Sequence, residues 1–586
     1  MRLMSYFVKA VFFICFTFLI VDSCLATTYF VSKTGSDSNN GTTLTTSFAT
    51  ISFAISKAVA GDFIYVRSGT YSLTTTISIS KSGSSGKVIT LSAYPADITS
   101  VYPIDGRPII DFSGMAIGSS NQGFKLSNAD YWYIYGLRIK GAGDNGMLVQ
   151  NTDYTNIEFC DFYENRDAGF QIRSSSANCT ITNCDSYWNA DYVAGSTTYD
   201  GGNADGFAPK LDLGQNVRFK GCRAWLNSDD GWDGYLKAFE SSLPDLMTTY
   251  TDNCWAWRNG YLKDGVTTTS GMNGNGIKMG GSTNKDQAHN WVATNCIAMY
   301  NKSKGFDQNN SAGSLTLYNC TSVKNTAPDY ALNSSGVTYN ASSVFTVKNC
   351  VAFGTTGTSF KTGTILATNN FVTASTDYVS VDTTGISGRR KVDGSLPDVN
   401  FMHPKTSSVL IDKGTNVGLP YNGALPDLGY WETTSTTIIN QNISLTVGWN
   451  LISFNVSPSD KTIETVFKNV LSNVSEIKTA DAFWRSGQNV VLNSLKTITD
   501  GAAYMVNMKA AGSITISGTA ILASVGTIKT GWQLVGCPYQ TSTAITTAFT
   551  TSNILAIKNF TAFWNSTGSG TLINIDPGKG YFVKGK

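Results

Sequence analysis

Apolar residues in the central part of this chain come in short bursts rather than in long amphipathic stripes. Tyr131-Trp132-Tyr133-Ile134-Tyr135-Gly136-Leu137-Arg138-Ile139 is one such burst, alternating or running apolar as a strand does whose side chains point to opposite faces in turn. The bursts recur in a frame. Cys160, Cys184, Cys222, Cys254, Cys296 and Cys320 are each followed five positions on by an asparagine (Asn165, Asn189, Asn227, Asn259, Asn301 and Asn325), then by a glycine and a further short strand. The units differ by whole loops, from Cys296–Cys320 at the short end to Cys254–Cys296 at the long end. Repeats of twenty-odd residues, rich in strand formers and tolerant of loop insertions, predict a solenoid with one coil per repeat. A propeller would need about twice the period, and no leucine frame is present. The expected architecture is all-β, a right-handed parallel β-helix over residues 27–432. Stacking pairs each strand with its counterpart one coil away, and the asparagines gather at one corner, bonding the turn backbone and each other.

The ends of the stack need separate elements. Thr28-Tyr29-Phe30-Val31-Ser32 reads as a strand, and Ser47 as the cap of a helix with Ile51, Ala54, Ile55, Ala58 and Val59 on one face, ended by Gly61-Asp62 before the strand Phe63-Ile64-Tyr65-Val66. Such a helix covers the open edge of a β-stack. The segment resembles the N-terminal cap of many β-helix carbohydrate enzymes, and Leu425-Pro426-Asp427-Leu428-Gly429-Tyr430-Trp431-Glu432 resembles their closing motif. Residues 1–26 carry Arg2 and Lys9 ahead of the apolar run Ala10 to Val21 and end on Cys24-Leu25-Ala26, the pattern of a secretory signal peptide. Val21-Asp22-Ser23-Cys24 is a poor match to a lipid-attachment site at Cys24, because of its aspartate. A Thr/Ser-rich linker is expected at 433–441. Beyond it, at 442–586, the chain repeats itself at an offset of about 80 residues. Val447-Gly448-Trp449-Asn450-Leu451-Ile452-Ser453 returns as Thr530-Gly531-Trp532-Gln533-Leu534-Val535-Gly536, and Ala482-Phe483-Trp484 as Ala562-Phe563-Trp564. This is a duplicated β-rich accessory module. Repeated tryptophans are more often core than surface, which favours a spacer, attachment or assembly role over carbohydrate binding.

Composition narrows the partners. The 586 residues carry 43 Lys+Arg against 41 Asp+Glu, with no basic run, so nucleic acid is not an expected partner. No segment after the leader is apolar for the roughly 20 residues of a membrane span. The expected product is a secreted or cell-surface monomer whose acidic substrate meets local charge or a bound cation. Eleven cysteines in an exported chain would suggest disulfides, but cysteines locked to one repeat position read as a stack of small buried thiols. Only two histidines occur, His289 and His403, and they form no spaced pair for zinc.

Candidate chemistry emerges when coils are aligned on Gly206, Gly231, Gly276 and Gly305. The residue before each glycine is Asp205, Asp230, Asn275 and Lys304; two positions after come Ala208, Asp233, Lys278 and Asp307. Coils stack about 4.8 Å apart, so Asp205 is expected over Asp230, and Asp233 directly beneath Lys278, with Asp229 at the adjoining turn. Carboxylates this close repel unless a cation neutralises them, and calcium accepts six to eight oxygens in a loose geometry. Any one of these aspartates alone is an ordinary turn residue or a structural calcium ligand, and Lys278 alone is an ordinary surface lysine. Together in one register they are harder to dismiss, and the small residues of Gly274-Asn275-Gly276-Ile277-Lys278-Met279-Gly280-Gly281 are expected to let a polymer approach closely.

The set Asp205-Gly206-Phe207, Ser228-Asp229-Asp230-Gly231-Trp232-Asp233 and Gly274 to Gly281 resembles the family 9 polysaccharide lyases, whose members include pectate lyases. The resemblance spans about 28–432 and leaves the C-terminal duplication outside. It implies that Asp205, Asp229, Asp230 and Asp233 bind a catalytic calcium and that Lys278 is the Brønsted base. The implied reaction is β-elimination of 1,4-linked galacturonan (pectate) to 4,5-unsaturated products, with calcium dependence and an alkaline optimum. Competing readings are a β-helical glycoside hydrolase using two of these aspartates, a rhamnogalacturonan lyase, and a non-catalytic glycan-binding surface protein.

Overall fold

The computed structural model describes residues 26–98, 106–236, 247–354, 356–391, 393–433, 438–488, 492–567 and 569–586. The leader 1–26, apart from its last residue, and Cys24 with it, lie outside these. Three parallel sheets of 12, 10 and 11 strands run the length of the first part of the chain. Each coil contributes one strand to each sheet: Thr180–Thr182 joins the twelve-stranded sheet, Asp185–Tyr187 the eleven-stranded one, and β1 (Phe207–Pro209) the ten-stranded one, before Val217–Lys220 begins the next coil. This is the right-handed parallel β-helix that the repeat predicts. Inward positions bury Trp132, Phe124, Phe170, Phe207 and Trp232 completely in one core that runs along the helix axis.

Two internal stacks hold the coils in step. All nine described cysteines are buried free thiols. Those of the repeat point back to the coil before, as when Cys222 Sγ donates to the Ile181 carbonyl at 3.4 Å. At the corner between the eleven- and ten-stranded sheets, Asn165, Asn189, Asn227, Asn259, Asn301 and Asn325 form a continuous ladder, each Nδ2 donating to the next Oδ1 at 2.9–3.0 Å. The residue before each ladder position adopts left-handed backbone, with Trp188, Leu226, Arg258, Tyr300 and Lys324 at φ between 45° and 60°. Bulky residues take that conformation only when their surroundings enforce it. The ladder does so by satisfying the turn's donors, Asn227 N donating to Asn259 Oδ1 at 3.3 Å.

The N-terminal cap differs in detail from the expectation. Helix α1 (Ile51–Lys57) is capped by Thr50, whose side chain accepts from Phe53 N, and not by Ser47, which is buried. Asp37 fixes that cap, accepting from Thr50 N and Oγ1. Val59 lies past the helix end and is 54% exposed, so the apolar face ends at Ala58. At the other end, Tyr430 Oη donates to the Phe401 carbonyl at 2.6 Å and its ring packs edge-on against Trp255, closing the outer face of the eleven-stranded sheet. The first strand beyond it, Ile438–Leu445, begins inside the expected linker 433–441, of which residues 434–437 are not described.

The C-terminal region carries antiparallel sheets. Gly448–Ser453, Ala503–Met508, Val474–Lys478 and Phe483–Arg485 form one four-stranded sheet, and Gly531–Gly536, Gly580–Gly585, Ile554–Lys558 and Phe563–Asn565 form another with the same strand order. The two meet through an Ile452–Lys579 bridge and a Ser453 Oγ bond to the Lys579 carbonyl at 2.7 Å.

Candidate functional site

Four short strands of the ten-stranded sheet position the site: β1, β2 (Trp232–Asp233), β3 (Ile277–Lys278) and β4 (Phe306–Asp307). Phe207 pairs with Trp232, Asp233 with Lys278, and Lys278 with Asp307. The column of Asp233 beneath Lys278 is therefore real, and Asp205 lies against Asp230, whose N–H donates to Asp205 Oδ1 at 3.2 Å. Each of these strands begins just after the ladder corner, at a glycine with no room for a side chain. A Cβ at Gly276 would meet Ala298 Cβ and the Gly305 carbonyl at 2.7 Å. Gly280 and Gly281 have φ of 134° and 106°, and a Cβ at either would collide with Ser311 or Asn309. The glycines around Lys278 thus answer to the protein's own packing, where the sequence had suggested access for a polymer.

The side chains converge. Asp205, Asp229 and Asp230 are buried and each offers an oxygen within 4.8 Å of the others. Asp229 Oδ1 accepts from Asn273 N at 3.0 Å, and Asp230 Oδ1 from Asn275 N and Nδ2 at 2.6 and 2.8 Å. Lys278 Nζ sits 2.9 Å from Asp230 Oδ2 and 3.2 Å from Asp233 Oδ1. Asp233 differs from the close trio, because a second lysine holds its other oxygen: Lys210 Nζ is 3.3 Å from Asp233 Oδ2 and 2.7 Å from Asp205 Oδ2. Sequence reasoning missed Lys210. Its signal was the position directly after β1, which the alignment on glycines stopped short of; four buried carboxylates called for more than one counter-charge.

Electrostatics separate the four acids. Burial pushes Asp205 and Asp229 well above the usual carboxylate range; their acidic neighbours add to this, while Lys210 opposes it at Asp205 and Lys278 at Asp229. Asp230 is raised too, by burial and then Asp233, against the pull of Lys278. At Asp233 burial is overcome by Lys278 and Lys210, and its pKa falls. Burial also works to lower Lys278, but Asp230, Asp233, Asp229 and Asp205 together outweigh it and hold the ammonium well above the lysine range. With all four carboxylates ionised, two ammonium groups would leave two negative charges in a cluster where Lys278 is only 8% exposed, and the raised pKa values of Asp205 and Asp229 express that excess as a pull on protons. A buried excess of that size favours a divalent cation, and an all-oxygen donor set suits a hard one.

A large pocket of about 1230 Å³ lies elsewhere, against the outer face of the eleven-stranded sheet, and none of these six residues lines it. Its deep arginines are occupied by ion pairs, Arg107 and Arg138 with Asp161, Arg223 and Arg390 with Asp185; through Arg390 they pin the returning segment to the sheet.

Fold and site together define a parallel β-helix protein with a buried carboxylate–lysine centre on its ten-stranded sheet. The chain belongs to the Pel9A-like family: the family model described as Pel9A-like, right handed beta helix region matches residues 29–342. It is 35% identical over 413 residues to pectate lyase L of Dickeya chrysanthemi, covering 69% of this chain and 90% of that protein. The crystal structure of pectate lyase Pel9A superposes with a TM-score of 0.60 at 31% identity, over 70% of this chain and 97% of that one. A rhamnogalacturonan lyase superposes with a TM-score of 0.55 at 27% identity, over 65% and 97%.

Proposed function

We propose that this chain is a pectate lyase that acts outside the cell on an acidic pectic polymer, cleaving 1,4-linked galacturonan by β-elimination with Lys278 as the base. The pectate lyase names of its relatives support the enzyme class. The observation that carries the mechanism is a lysine ammonium within 3.2 Å of two carboxylates, beside a trio of aspartates whose oxygens lie within 4.8 Å of one another. Elimination requires a base for the C5 proton and relief of the negative charge that the adjacent uronate carboxylate places against C5 deprotonation.

A calcium ion held by Asp205, Asp229 and Asp230, with Asp233 beside them, would neutralise that carboxylate and acidify the C5–H. Lys278 Nζ takes the proton from C5, the C–H electrons become the C4=C5 double bond, and the C4–O bond breaks with the oxygen leaving on the shortened chain. Lysine does this only when uncharged. The same carboxylates that pair with Lys278 keep it protonated, so compensation of their charge is what frees the base. Asp233, shared by Lys210 and Lys278, fixes the direction of the base along the sheet column.

Purified protein incubated with polygalacturonate should release products absorbing as unsaturated uronates, and a chelator should abolish the signal. Lys278→Ala should lower turnover by roughly 10²–10⁴-fold. Reducing ends without the absorbance would mean hydrolysis, and full activity in K278A would remove Lys278 from the mechanism. The likeness to a rhamnogalacturonan lyase makes that backbone the second substrate to assay; faster elimination there than on polygalacturonate would reassign the polymer and leave the chemistry intact.

A further inference from the structure

The duplicated C-terminal module presents the same unusual surface twice. In each four-stranded sheet one face is core: Ile452, Ile477, Trp484 and Tyr504 in the first copy, Val535, Ile557 and Tyr581 in the second are buried. The opposite face is covered only in part, with Leu451 buried on it in the first copy. Trp449 is 40% exposed, its counterpart Trp532 51% and Phe563 52%. Register aligns the two faces residue for residue. Lys478 lies opposite Met505 and Phe483, and Lys558 opposite Phe582 and Phe563, with the tryptophan of the edge strand one pleat away. In both copies the lysine lies over the indole, Lys478 Nζ 4.4 Å from the Trp449 ring and Lys558 Nζ 4.8 Å from that of Trp532.

Around this constellation the repeat has drifted. Asn450 has become Gln533, Ile452 Val535 and Ser453 Gly536, yet the exposed tryptophan and its lysine stand in both copies. An exposed indole is a solubility liability that a surface with no binding role sheds easily. Basic residues outnumber acidic ones on these sheets. The four strands of the second sheet contain Lys558 and Lys584 and no acidic residue; those of the first contain Lys478, Arg485 and a single acid, Glu476, which is paired with Arg485 at 3.0 Å.

We propose that these two faces are binding platforms for an acidic polysaccharide, the indole of Trp449 or Trp532 taking the apolar face of a uronate ring and Lys478 or Lys558 its carboxylate. An aromatic ring supplies large, rigid apolar area, and the lysine head, on a flexible stem, moves from the indole to the incoming carboxylate. Two such platforms on one chain engage one polymer with avidity above that of either alone. This goes beyond the catalytic assignment and does not depend on it.

The test is native affinity electrophoresis of the full chain in gels cast with polygalacturonate, with neutral galactan, or with no polymer, all in chelator so that turnover is silent. Polygalacturonate should retard the wild type and neutral galactan should not. The pair W449A/W532A should bind at least tenfold more weakly, with unchanged melting temperature and unchanged turnover of short oligogalacturonides assayed with calcium, and each single variant should fall between. The pair Lys478→Glu/Lys558→Glu, which keeps both indoles, should abolish retardation. Wild-type migration of either double variant overturns the proposal, as does absence of retardation in the wild type; equal retardation by galactan overturns the acidic specificity. Absence of lyase activity would overturn the catalytic reading alone.

Discussion

Lys210 and Lys278 grip opposite oxygens of one carboxylate, at 3.3 and 3.2 Å from Asp233. Lys210 also pairs with buried Asp205 at 2.7 Å, so removing it strips that carboxylate of its ion pair, which typically costs about 3–5 kcal/mol. Lys210→Met should therefore lower the unfolding free energy, read from urea unfolding, by an amount in that range, and Lys210→Arg should recover most of it. A purely catalytic role for Lys210 would leave the midpoint of K210M unchanged. His289 makes a second residue-scale prediction. Burial pulls its pKa from 6.5 to about 4, against the pull of its bond to the Gly234 carbonyl and of the Asp233 charge. Between those values the unfolded chain binds one proton more than the folded one, so the contribution of neutral His289 is fully present above pH 6.5 and is lost as pH falls towards 4. The slope is about 1.4 kcal/mol per pH unit within that window. His289→Gln should flatten the acid limb of stability there, read from urea unfolding at successive pH values; equal slopes would mean that His289 titrates normally.

At the scale of the element, the unit that matters is the coil corner. Asp229 and Asp230 follow Asn227 by two and three residues, so the ladder that fixes the corner also fixes the acids. Asn259 accepts from Asn227 N and Nδ2 and donates to Asn301 Oδ1 at 3.0 Å. Asn259→Ala leaves these groups buried without partners, at about 1–3 kcal/mol for each unsatisfied one. It should lower both stability and turnover, whereas Asn325→Ala, at the end of the ladder, should lower stability with much less effect on turnover. Equal losses of activity would mean that the ladder holds the helix together without setting the register of the site. The cysteine-to-asparagine spacing made this corner legible, because a constant interval inside a repeat becomes a constant position in a coil. The cap helix was read less well. Ser47 and Thr50 are both good capping residues by type, and only the placement of Asp37 against Thr50 decides between them.

For the whole molecule, the described contacts between the segment that closes the β-helix and the C-terminal region include the 2.8 Å bond from Ala523 N to the Tyr421 carbonyl. We infer from the repeat and from these sheets that the C-terminal part is a separate accessory unit. A chain ending at residue 433 should then keep turnover of short oligogalacturonides within about twofold of the full chain, because domains joined by limited contact keep their own cores; a large loss would make the modules part of the catalytic body. The sequence by itself determined the coil, its register and the columns Asp205–Asp230 and Asp233–Lys278, because in a solenoid a one-dimensional spacing is a three-dimensional position. It did not determine that Lys210 enters the cluster, that the glycines beside Lys278 serve internal packing, or that Trp449 and Trp532 face outward while Trp484 is core. Those outcomes depend on where a side chain points and on what a distant coil or facing strand places against it, and only the tertiary structure brings those partners together.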